Sequence, residues 1–117
     1  MSHLKYYAYD GVGRENLKNY NYNQAVRVGD RIECAGQGIL PADGTPKPAK
    51  SPRPSQVFMI KSYHVGLDHE ATVKMIEELG KWMPDHKPVW TCLGVANLAL
   101  PGMRVEIDVV AHDPDAK

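Results

Sequence analysis

Few residues in this chain have a type and setting suited to chemistry. Glu106 stands out because it sits between Val105 and Ile107 in an apolar terminal run. A carboxylate in such a run can be raised in pKa and serve as an acid, a base or a holder of water. The same alternation also describes the solvent face of an antiparallel strand, and by pattern alone that plainer reading is favoured. His64, His69, His86 and His112 show no close metal-ligand spacing beyond a loose His64/His69 pair. Zinc needs donors converging from several directions, so no metal site is expected. Cys34 and Cys92 sit in apparent strands, where a free thiol usually acts as a small buried hydrophobe. Cys92 has no neighbouring His or cation to lower its pKa, so a strand role is favoured over a nucleophile. GVGREN near the N-terminus lacks the lysine of a phosphate loop and is not expected to follow a strand.

These residues need elements to position them. Residues 24–37, QAVRVGDRIECAGQ, read as two short strands joined at Gly29-Asp30, each with one apolar and one polar side. Residues 41–55, PADGTPKPAKSPRPS, are too rich in proline for a helix or a central strand and read as a basic loop. QVFMIKSYHV, residues 56–65, reads as a well-buried strand. The only convincing helix follows. Asp68 is its N-cap and Glu70 lies in its first turn. Thr72, Met75, Ile76, Leu79, Trp82 and Met83 form its apolar stripe, and Pro84 stops it. VWTCLGV at 89–95 is a further strand, and RVEIDVVAH at 104–112 is the last. In the last, Val105, Ile107, Val109 and Ala111 face one way, with Arg104, Glu106, Asp108 and His112 on the other side. The result is an α+β fold: a mixed sheet with one clear amphipathic helix on one face.

With 117 residues the chain is read as a single domain spanning 1–117. Lys plus Arg equals Asp plus Glu, at 14 each, so no general attraction for nucleic acid or anionic lipid is expected. No apolar run approaches the length of a membrane span, and no leader is recognised. Two strand cysteines fit a reducing, cytoplasmic setting better than a disulfide framework.

In combination the segments resemble the Rid/YjgF family, also called the endoribonuclease L-PSP family. NYNQAVRVGDRIECAGQ resembles its Tyr-Ser-Gln-Ala run and the hairpin ending in Ser-Gly-Gln. HKPVWTCLGVANLALPGMRVEIDVVAH resembles its closing Pro-x-Arg-Ser/Thr-Cys/Thr-Val strand, Leu-Pro turn and Ile/Val-Glu-Ile-Glu strand. The resemblance implies a chorismate-mutase-like homotrimer binding a small molecule in clefts between subunits, without metal or organic cofactor. It also implies hydrolysis of reactive enamines or imines to keto acids and ammonia. Tyr22 and Glu106 would be catalytic, with Ala35, Trp90, Cys92 and Ile76 lining the substrate.

The chain departs from that pattern at three points. Trp90 stands where the deaminating members carry an arginine for the substrate carboxylate. A hydrogen bond to a charged group contributes about 1.5–3 kcal/mol, so carboxylate binding should weaken by about tenfold or more. Ala35 replaces a cleft serine and Ile76 an asparagine, which makes the expected pocket more apolar. The proline-rich loop stands where the family has a first helix. Three functions follow as alternatives: an imine or enamine hydrolase of altered specificity, a non-catalytic binder with an apolar cleft, and an endoribonuclease.

Overall fold

In a computed structural model, residues 2–38 and 54–114 are described. The proline-rich segment lies outside them up to position 53, and its final residues enter a 3-10 turn at Pro54–Gln56.

Seven strands form one sheet. In chain order they are β1 (Lys5–Tyr7), β2 (Ala25–Val28), β3 (Arg31–Cys34), β4 (Gln37–Gly38), β5 (Val57–Val65), β6 (Val89–Val95) and β7 (Val105–His112). The order across the sheet is β1-β2-β3-β7-β5-β6, with β4 also paired to β7. All pairings are antiparallel except β5 with β6, which run parallel. That parallel pair needs a crossover, and the helix α2 (His69–Trp82) supplies it. β6 closes one end of the sheet, with one side of its backbone unpaired among the described residues.

The hairpin forms as expected. Gly29 takes φ 62°, a conformation that glycine adopts without strain, and the two-residue loop pairs Val28 with Arg31. That pairing sets Val26 against Glu33 and Arg27 against Ile32, so the apolar residues of β2 and β3 lie on opposite faces of the sheet. Each strand does have an apolar side, but the two sides do not add up to one core surface.

Asp68 caps α2, accepting from the Ala71 amide at 2.8 Å. The helix lies on the sheet face that carries Ile32, Val57, Ile60, Ser62, Trp90, Val109 and Ala111. Leu79 and Met83 pack there on the buried cluster of Val57, Ile60 and Ala111. The stripe expected on this helix is only partly used. Ile76 is 55 % exposed and Trp82 58 %, because they flank the stripe on opposite sides of the line through Leu79 and Met83. Trp82 is held at the surface by its own helix: its indole donates to Glu78 at 3.0 Å, and Lys81 lies over the ring.

Two elements correct the sequence reading. Residues Val12–Tyr20 form a second helix, α1, where only one was expected. β1 precedes GVGREN, which was not expected to follow a strand. α1 buries only Gly13, whose α-carbon packs against the ring of Tyr9, and no side chain caps its start at Gly11. Its large apolar side chains, Val12, Leu17 and Tyr20, are all exposed.

Candidate functional site

Side chains that share a residue pair across the ladder share a face. On β7, Glu106 pairs with Tyr63 of β5 on one side and with Gly38 of β4 on the other. This is the sheet face away from α2. Tyr63 and Asp108 share it, and the Tyr63 hydroxyl donates to Asp108 Oδ2 at 2.9 Å. That hydrogen bond, reinforced by slight burial and by the charges of Asp108 and Glu106, raises the Tyr63 phenol above its ordinary value.

The other wall of this region comes from the break between β3 and β4. Both strands pair with β7, but the register shifts by one residue between Glu33/Val110 and Gln37/Ile107. Ala35 and Gly36 occupy this bulge. The Glu106 side chain lies directly against the Gly36 α-carbon.

Beside the bulge is a concave space of about 460 Å³, with walls that include Tyr6, Tyr22, Gln24, Val26, Cys34 and Ala35. α1 ends on Asn21, which takes φ 59° and turns the chain so that Tyr22 enters this wall. Asn16 on α1 donates to the Tyr22 hydroxyl at 2.9 Å, which leaves the phenolic hydrogen free for another acceptor. Behind the wall, Gln37 donates to Gln24 Oε1 at 2.8 Å and accepts from the Tyr9 hydroxyl at 3.3 Å. Gln24 is buried and its amide nitrogen has no partner among the described residues. Burial, and secondarily the neighbouring Tyr22, raise the Tyr9 phenol. Burial also raises the Cys34 thiol, with Asp108 adding to the effect.

Of the residues singled out from the sequence, Tyr22 and Ala35 share this space. Glu106 is not one of its walls but lies against Gly36, the next residue along. Trp90 and Cys92 lie on the opposite, helix-covered face. The Trp90 indole packs against the Val57/Ile60/Ala111 cluster and donates to Ser62 Oγ at 2.9 Å. Ser62 is fully buried and also contacts His64 Nε2 at 2.9 Å. Cys92 pairs across the parallel ladder with the same Ser62. Ile76 points outward from α2. Within one chain, then, Trp90, Cys92 and Ile76 are not brought to Glu106.

The Tyr9–Gln37–Gln24 chain and the Trp90–Ser62–His64 chain were not foreseen. The first had a signal: Gln24 and Gln37 flank the hairpin, so antiparallel pairing had to bring them together. The second had none, since the strand alternation does not say which face a helix will cover.

The fold and this arrangement define a class: a mixed sheet with a crossover helix and a bulged strand beside a concave space. Residues 48–113, more than half of the chain, match the family model described as Endoribonuclease L-PSP. The chain belongs to that family. Rv2704 of Mycobacterium tuberculosis, a member of the YjgF/YER057c/UK114 family, is similar in structure, with TM-score 0.68 and 18 % identity over 93 % of this chain and 98 % of that one. The yeast protein YEO7 gives 0.69 and 18 % over 94 % and 98 %. Protein YJGH gives 0.65 and 21 % over 98 % and 100 %. At these identities the likeness establishes the α+β fold. No curated protein matches the sequence. Among the described residues, no helix is long and apolar enough to cross a membrane.

Proposed function

We propose that this chain binds a small organic metabolite and hydrolyses an imine or enamine, with Glu106 and Tyr22 as its catalytic residues. The observation that carries this reading is the Glu106 carboxylate on the face away from α2, against the Ala35–Gly36 bulge and one residue from the space that Tyr22 enters. In this chemistry Glu106 takes a proton from a water whose oxygen attacks the imine carbon. The C=N electron pair moves to nitrogen, which takes the proton back from Glu106, giving a carbinolamine. Glu106 then accepts the hydroxyl proton and passes it to the amino nitrogen as the C–N bond breaks, and ammonia leaves a carbonyl product. Tyr22, its oxygen already accepting from Asn16, donates its hydrogen to the substrate. Water is the only co-reactant, and no metal or organic cofactor has a step to perform.

Ala35 lines the substrate from the same chain. The family resemblance supports a homotrimer in which Trp90, Cys92 and Ile76 would complete the cleft from a neighbouring copy. The two free thiols fit a cytoplasmic home.

Ammonia release from freshly generated 2-aminoacrylate tests the proposal. Native protein should be active, and Glu106→Gln should lose about a hundredfold or more. A native chain that binds small molecules yet releases no ammonia is the non-catalytic binder, a reading favoured by Trp90 at the position of the carboxylate-binding arginine. The endoribonuclease reading has the least support, given zero net charge. RNA binding that falls steeply with salt would revive it.

A further inference from the structure

We infer that Gly36 is a positioning residue, whose missing side chain is the seat of the Glu106 carboxylate. A β-carbon built at Gly36 would lie 2.7 Å from Glu106 Cδ, 2.8 Å from Cγ and 2.9 Å from Oε2. Separations under 3.0 Å are essentially never found for real β-carbons. Backbone conformation does not call for glycine here, because Gly36 does not take the positive φ seen at Gly11, Gly29, Gly66 and Gly102. What glycine supplies at this position is room.

The one-residue bulge between β3 and β4 determines where that room is. It sets Gly38 opposite Glu106, and alternation then puts the Gly36 α-carbon on the face that carries Glu106. All three atoms in the way belong to the far end of a flexible side chain, and none to backbone. Adding a methyl group should therefore displace the carboxylate while leaving the sheet intact. This separates Gly36 from a glycine that the fold itself demands.

The inference rests on the proposed role of Glu106 for its functional meaning, but its geometry can be tested without activity. The experiment uses the full chain in four forms: native, Gly36→Ala, Glu106→Ala and the double variant. Thermal unfolding should show strong coupling, with the methyl group destabilising the native background and doing little once the Glu106 side chain is gone. The Glu106 carboxyl carbon-13 resonance should move in Gly36→Ala. Ammonia release should fall about as far as in Glu106→Gln. If Gly36→Ala does not fold alone but folds together with Glu106→Ala, the seat is supported. If the double variant also fails, the methyl group clashes elsewhere and the inference is overturned. Additive unfolding effects, or an unmoved carboxyl resonance, overturn it too. If Glu106→Gln remains fully active while coupling and resonance behave as expected, the seat stands and the hydrolase reading falls.

Discussion

The two faces of the sheet follow the same strand alternation but solve different problems. Under α2, the face is closed by Leu79 and Met83 over Val57, Ile60 and Ala111, and its polar atoms are paired inward: Trp90 to Ser62, and Ser62 to His64. On the other face, Tyr63, Glu106 and Asp108 are half-buried, with Val89 and Leu93 largely exposed. Most buried polar groups are paired, and the covered face uses its hydrogen bonds for stability. On the open face the Glu106 carboxylate has no hydrogen-bond partner among the described residues, which suits the proposed role of holding a ligand or a water. The contrast places the packed core on one side of β7 and the proposed catalytic carboxylate on the other, one residue apart.

Breaking the covered face should have the largest effect. Ile60→Ala empties a position that is 4 % exposed and should cost about 2–5 kcal/mol in chemical denaturation. Val89→Ala, at a position 60 % exposed on the open face, should stay within about 0.5 kcal/mol for an isolated chain. A larger loss there would mean that another copy covers this face. Light scattering that finds a trimer for the native chain and smaller species for Leu93→Asp would say the same, whereas a native monomer removes the intersubunit cleft.

Trp90→Phe keeps most of the packing and removes the indole N–H from Ser62. The expected cost is about 1 kcal/mol, with ammonia release unaffected unless a neighbouring copy brings Trp90 to the cleft. Tyr63→Phe removes the donor to Asp108 and should cost about 1 kcal/mol near neutral pH. Because the Tyr63 phenol is raised above 10.0, that contribution is fully present below the unfolded phenol's pKa. It is lost as pH rises through the folded value, so native and variant should converge in strong alkali. The smallest effect concerns Cys34. With its thiol raised by burial, it should be alkylated at pH 8 more slowly in the folded chain than in the unfolded one.

Local signals carried the elements that announce themselves. Asp68 could be read as a cap because its side chain bonds within three residues. The face assignment along 104–112 held because a strand alternates regardless of its partners. α1 escaped because VGRENLKNY has no capping side chain and few large apolar residues, and its one buried position is Gly13 against Tyr9. The surroundings of Glu106 depend on a register shift between strands nearly seventy residues apart in sequence, which no local pattern encodes. The direction of Trp90 depends on which face α2 crosses, a choice made by the sheet as a whole.

β6 lies at the rim of the sheet, and its sequence VWTCLGV contains neither a charge nor a proline. Such a rim is a template on which further strands can grow, and lysines or prolines are the usual guards against it. Purified material should therefore lose clarity at a rate that climbs with protein concentration, well below its melting temperature. A single lysine at Thr91, on the side of that rim away from α2, should extend its storage life without touching the core.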